Sequence, residues 1–240
     1  MPFIKLPISA SRFFRNLLSN IAARITNRAY CIDNRIPVSY LIYEARRRIF
    51  MLIFGFLVFR KNGVLVSPSA IIHCRNLIRI HGTVSIDDFV LIDALSSDGV
   101  VLGTGVSIGK RCIIECTGTI LSLGKGLILG NRVGIGSNSF LGCAGGIKID
   151  DDTILGNYVS IHSESHHFSN PNIPIRDQGT SRKGVEIGSG CWIGAKATIL
   201  DGVEIGNNCV VAAGAVVTAG CYPSHSVLAG VPAKIIKVIA

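Results

Sequence analysis

At 240 residues the chain can bury one sizeable core or two small ones. Its 27 glycines, 48% hydrophobic residues and only 7% aromatics fit short strands, tight turns and small aliphatic layers, not a helical bundle. The formal charge of +9 lies wholly in residues 1–61, which hold 11 of the 24 basic and two of the 15 acidic side chains. The remainder is formally neutral, which argues against a nucleic-acid groove on it.

Residues 1–61 form a basic, partly apolar segment. Its core, Ile49 to Phe59, is eleven uninterrupted apolar or Gly residues between Arg46, Arg47 and Arg48 on one side and Arg60 and Lys61 on the other. A membrane-spanning helix needs about 20 apolar residues, so this run is too short. Two helical readings remain: a segment lying in the headgroup region of an anionic leaflet, or a cap on the end of a repeat solenoid. Eight cysteines show no CxxC pair and no framework spacing, and no cleavable signal is evident. They read as reduced thiols acting as small hydrophobes in a cytoplasmic protein, peripheral at the inner face of the membrane if the first segment binds lipid.

From residue 62 onward the sequence repeats every six residues. Ile187, Ile193, Ile199, Ile205, Val211 and Val217 form the clearest run, and the same register holds at Ile80, Ile86 and Ile92 and at Leu102, Ile108, Ile114 and Ile120. Neither a helix nor a long strand has this period. A short strand plus a tight corner does, and three such rungs make a triangular coil of about 18 residues stacked on its neighbours as parallel strands. Gly and Asn after the aliphatic residue, as at Gly156-Asn157 and Gly206-Asn207-Asn208, suit corners with positive φ or close backbone approach. The expected fold for residues 62–240 is all-β, a parallel β-helix, behind a short helical segment.

The period breaks most widely between His166 and Val185. The intervening segment is polar, contains two prolines and follows directly on His162, His166 and His167, half of the six histidines. Insertions in a solenoid gather on one face, often the binding face. Removing a proton from an attacking hydroxyl is a task suited to imidazole, whose pKa lies near the operating pH. No Ser or Cys stands out as an acyl nucleophile beside a base, so transfer is expected to be direct.

The stretches SHHFSNPNIPIRDQG (165–179), VEIGSGCWIGAKATILDGVEIGNN (185–208), AAGAVVT (212–218) and AGVPAKIIK (229–237) resemble the hexapeptide-repeat acyltransferases, and among them the branch that O-acetylates sugars and surface polysaccharides. The resemblance covers residues 64–238. It implies a left-handed parallel β-helix, a homotrimer with active sites between adjacent prisms, acetyl-CoA as donor, and a sugar or glycan hydroxyl as acceptor. It places the general base at His166 of the Ser165-His166 pair, before an extended loop at about 167–184, with His167 next in line. Glu164 or one of Asp150, Asp151 and Asp152 would orient that base, and His162 reads as a structural corner residue. CoA contacts carry over to Ala195, Ala213 and Thr218 with Trp192 nearby, and phosphate contacts to Lys234 and Lys237. Thr218-Ala219-Gly220 departs from the family's frequent Thr-Lys-Asp, so one cationic contact is missing.

Two other readings compete. A γ-class carbonic anhydrase would use His162 and His167 as zinc ligands, but its third histidine is expected two coils earlier and none lies between His81 and His162. A non-catalytic β-helix scaffold is the other. No metal is expected, and residues 1–61 are too few for a nucleotide-binding domain.

Overall fold

A computed structural model describes residues 32–239. The chain divides into two compact units, Met1–Met51 and Leu52–Ala240. Of the N-terminal segment, residues 1–31 lie outside the described residues, and the rest includes one helix, α1 (Val38–Phe59). Its end is fixed by Arg60, which adopts a left-handed φ of 53° and donates its N–H to Phe56 O at 2.8 Å. Within the second unit, Phe54 and Phe59 pack against the β core. Gly55 is required there, because a Cβ would stand 2.0 Å from the carbonyl oxygen of Val64.

The body of the second unit is a three-sided parallel β-helix. Short strands of two to six residues stack into three sheets, here called faces A, B and C in the order the chain visits them. Face A starts at Val64–Val66, face B at Ile71–His73 and face C at Ile78–Ile80. All pairings along the stack are parallel, until the chain turns back at its end with Ala233–Val238 antiparallel to Ser226–Gly230 on face A.

The aliphatic residue of each hexapeptide points inward, except that Ile120, expected in the same register, is 97% exposed at the tip of a hairpin that leaves the stack. On face B the column Ile92, Ile114, Leu141, Ile161, Ile199 and Val217 is 0% exposed throughout. Cys112, Cys116, Cys143, Cys191 and Cys209 fill the same interior, and burial raises the thiols of Cys112, Cys143 and Cys191 above their usual range. Such thiols are poor nucleophiles, consistent with a packing role.

The corner between faces A and B departs from the expectation that Gly or Asn supplies positive φ. Phe89, Arg111, Asn138, Tyr158, Lys196 and Gly214 occupy it in successive coils, all between 56° and 71°. The stack itself imposes the conformation: Tyr158 N–H donates to Ser137 O at 3.0 Å, Lys196 N–H to Asn157 O at 3.0 Å and Gly214 N–H to Ala195 O at 2.9 Å. Glycine is needed two residues earlier for closeness, since a Cβ on Gly156 would lie 2.6 Å from Ala195 N and one on Gly194 2.5 Å from Ala213 N.

Along face B, successive rungs from Ile72 to Val217 are 20, 22, 27, 20, 38 and 18 residues apart. The two long intervals locate the insertions. Both leave the corner between faces B and C: a small hairpin pairing Gly118–Thr119 with Ser122–Leu123, and a longer arm whose base pairs Ser165–His166 with Thr180–Ser181.

Candidate active site

The arm places His166 in an exposed antiparallel pair opposite Thr180, and His167 N–H donates to Gly179 O at 3.0 Å. Beyond this base the loop closes on itself. The Gln178 amide donates to Asn170 O at 2.8 Å and Ile173 O at 2.7 Å and accepts from Asn170 N–H at 3.1 Å. The arm is anchored at its root by Asp201, a carboxylate only 6% exposed, which accepts from Gly184 N–H at 2.8 Å and Ser181 Oγ–H at 3.1 Å.

None of the four carboxylates considered as orienters touches the His166 imidazole, which makes no hydrogen bond among the described residues. Glu164 pairs with Arg182, Asp150 with Lys148 at 3.3 Å, and Asp152 with Arg132. Asp151 accepts from Asn131 N–H at 2.6 Å, a contact that holds its carboxyl below the usual range.

Arg182 was not legible as a site residue, yet it ties the two insertions together. Its Nε donates to Glu164 Oε2, while Nη1 donates to Ser122 Oγ at 2.9 Å, Ser122 O at 3.1 Å and Leu123 O at 3.3 Å. Both members of the ion pair are largely covered, at 19% and 27% side-chain exposure. A buried pair so fully hydrogen-bonded fixes geometry more than it adds stability.

Beside the root of the arm is a cleft lined by Glu115, Phe140, Gly142, His162 and Glu164. Glu115, Gly142 and His162 are in register on adjacent strands, so a carboxylate and an imidazole stand about 10 Å apart with no side chain between them at Gly142, where the edge of the Phe140 ring lies 3.0 Å from the position of a Cβ. His162 Nε2 hydrogen-bonds Ser160 Oγ at 2.8 Å and its ring lies 5.4 Å from that of Phe140. It is thus a half-buried, partnered residue, and it also forms one wall of the cleft.

The residues carried over for CoA lie elsewhere on the prism. Ala195 and Ala213 occupy the corner between faces A and B in consecutive coils, exposed on the outside. At the same corner one coil before Asn157, the Ser137 N–H is closed by Asn157 Oδ1 at 2.9 Å. Alanine offers no such acceptor, so among the described residues the N–H groups of Asn157, Ala195 and Ala213 remain open, a ladder of donors about 4.8 Å apart. Trp192 points outward from face A and is 54% exposed. It lies in register with Val210, which pairs with Val227 and through it with Lys237; Lys234 pairs with Ala229. Trp192 and Lys237 are therefore three strand spacings apart on one face, about 14 Å. Thr218 sits at the opposite edge of face B, its carbonyl accepting from Tyr222 Oη–H at 2.9 Å.

One chain therefore holds the alanine ladder and the His166 arm at opposite edges of face B, separated by about five extended residues, on the order of 15 Å. Among the described residues, no three His, Cys, Asp or Glu side chains come together as a metal-holding group.

Comparison with known proteins agrees with this geometry. The family described as bacterial transferase hexapeptide (six repeats) matches residues 184–219. A Mycobacterium tuberculosis protein named as an inferred acetyltransferase is 33% identical over 91 residues, covering 38% of this chain and 30% of the relative. An Escherichia coli K12 protein, WbbJ, named as an inferred lipopolysaccharide biosynthesis O-acetyl transferase, is 35% identical over 98 residues, covering 38% of this chain and 50% of the relative. The chain thus matches half or less of the length of these relatives. A crystal structure of a variant of AntD, an N-acyltransferase from Bacillus cereus, in complex with dTDP and coenzyme A, is 23% identical over 74% of this chain and 81% of that one, with a TM-score of 0.50. That likeness is one of fold. Residues 184–219 thus carry the transferase hexapeptide repeat, and the fold is that of the left-handed parallel β-helix.

Proposed function

We propose that the protein is an O-acetyltransferase that moves the acetyl group of acetyl-CoA to a hydroxyl of a sugar or surface-polysaccharide precursor. The observation that carries this reading is the ladder of open N–H groups at Asn157, Ala195 and Ala213 on a hexapeptide-repeat body. Pantetheine is a narrow chain of amides, and its carbonyls are suited to accept from such a row. Trp192 and the outward lysines, Lys234 and Lys237, lie on the adjoining face, where they would meet the nucleotide and its phosphates.

In the reaction the acceptor hydroxyl oxygen attacks the thioester carbonyl while His166 takes its proton, and the tetrahedral intermediate collapses with loss of the CoA thiolate, which is reprotonated. A general base of this kind contributes about 10²- to 10⁴-fold. An oxyanion forming at the carbonyl is best met by a backbone N–H. The cleft of Glu115, Phe140 and His162 is suited to the acceptor: carboxylate and imidazole for hydroxyl groups, an aromatic edge for the apolar face of a sugar ring.

The separation of the two edges supports assembly as a homotrimer. A site complete in donor and base forms when the His166 edge of one prism faces the alanine edge of the next, which also gives the imidazole a neighbour it lacks among the described residues of its own chain. The name of the Escherichia coli relative favours a hydroxyl over an amine as acceptor. Such an enzyme would work in the cytoplasm, where acetyl-CoA is made.

Thiol release from acetyl-CoA, followed with a panel of methyl glycosides and lipid-linked glycans, tests this. Acceptor-dependent release by the wild type, lost in His166→Ala, is the expected result. Release that survives the substitution would move the base elsewhere, and no release with any acceptor would favour a scaffold.

A further inference from the structure

The acetyl-transfer reading does not use α1. The helix is 22 residues long, about 33 Å, and much of its circumference is apolar and uncovered. Ile42, Ile49 and Phe56 follow each other every seven residues along one line, and Tyr43, Phe50 and Leu57 along the next. Seven residues are nearly two turns, so each line follows the axis, and the two are about 100° apart around the helix. Each of these six side chains is between 38% and 61% exposed. Within the second unit the opposite side of the helix is covered: Gly55 is buried, and Phe54 and Phe59 pack against the β core.

Charge selects what covers the uncovered side. The stretch from Ile49 to Phe59 has no charged residue, and exposed Arg46, Arg48 and Arg60 bracket it. The only acid on the helix, Glu44, is already paired with Arg47 at 3.6 Å. The segment to which α1 belongs holds the chain's entire excess of nine positive charges. A second copy of the helix would bring its own arginines against these, whereas anionic headgroups would neutralise them. Among the described residues no helix is long and apolar enough to cross a membrane. Broad apolar exposure flanked by cations, on a helix unable to span, is the pattern of a helix lying in the plane of a bilayer surface.

We infer that α1 is a docking helix for an anionic membrane leaflet, with Ile49, Phe50, Phe56 and Leu57 among the acyl chains and Arg46, Arg48 and Arg60 among the phosphates. The inference is independent of the acetyl-transfer reading, since it concerns binding only. It would keep the β-helix at a surface where lipid-carried acceptors are presented, so that the search for acceptor takes place in two dimensions.

The test is flotation of the purified full chain with vesicles of phosphatidylcholine alone or mixed with phosphatidylglycerol. The wild type is expected to float with the mixed vesicles and weakly or not at all with the neutral ones. Ile49→Asn, Phe50→Asn and Leu57→Asn together should lower partitioning at least about tenfold, because each removes several methylene equivalents from the apolar side. A charge variant, Arg46→Gln with Arg48→Gln and Arg60→Gln, should lose the preference for phosphatidylglycerol; an unchanged circular-dichroism spectrum shows that either variant is folded. Flotation of the apolar variant equal to wild type would overturn the inference and assign binding to residues 1–31 or another surface. So would failure of the wild type to float, and self-association abolished by the apolar substitutions would then make a second copy the occupant.

Discussion

At the scale of single residues, the proposed reading gives the alanines at the corner between faces A and B a use beyond their size, as donors of open N–H groups to pantetheine. An Asn in this position closes the N–H one coil earlier, as Asn157 does for Ser137. Ala213→Asn should therefore close the Ala195 N–H while leaving the coil intact. Losing one donor to a carbonyl is worth roughly 1 to 1.5 kcal/mol, so the KM for acetyl-CoA should rise about tenfold with little change in kcat. Steady-state kinetics varying acetyl-CoA checks this, and an unchanged KM would remove the ladder from the donor site. The cysteines give a second test. Five of them are 0% or 1% exposed, and burial raises three of those thiols, so they should stay unmodified by a thiol reagent at pH 8 until the protein is unfolded. Cys221 is exposed, but the neighbouring Glu204 carboxylate pushes its thiol up, so its reaction should quicken when Glu204 is replaced by Gln.

At the scale of elements, the arm and the hairpin act as one unit because Arg182 joins them. Arg182→Met would leave Glu164 without its cation and Ser122 without its donor, and limited proteolysis should then cut within residues 168–178 faster than in the wild type, with the β-helix still resistant. The rung geometry carries its own prediction: Gly156→Ala sets a methyl 2.6 Å from a backbone nitrogen that cannot move without its whole coil, and should cost about 1–3 kcal/mol in a denaturation experiment. The coils were legible in the sequence because the inward residue is aliphatic at every sixth position along each rung; Ile120 kept the period but left the stack with the hairpin. His162 was legible only in part, since its partners, Ser160 and Phe140, sit on strands whose stacking the period gives but whose outward contacts it does not. Arg182 gave no signal, because its partners are 18 and 60 residues away and two of the four are backbone carbonyls. The positive-φ corners were legible in part: Asn208 takes the expected conformation, with φ 56°, whereas at Phe89 and Tyr158 it is set by hydrogen bonds from the stack, not by local preference.

At the scale of the whole molecule, the width of face B separates the alanine edge from the His166 arm, so the proposed reaction requires assembly, and light scattering should return three times the 25.6 kDa chain mass. The most direct measurement is complementation between two inactive variants, His166→Ala, which lacks the base, and Ala213→Trp, which fills the donor edge. Each alone should release no CoA beyond background with an acceptor that the wild type uses. Unfolded and refolded together in equal amounts, they should recover about a quarter of wild-type activity, because one site in four would then join an intact arm to an intact alanine edge. Mixed protein as inactive as its parents would contradict the shared site and return the chemistry to a single chain.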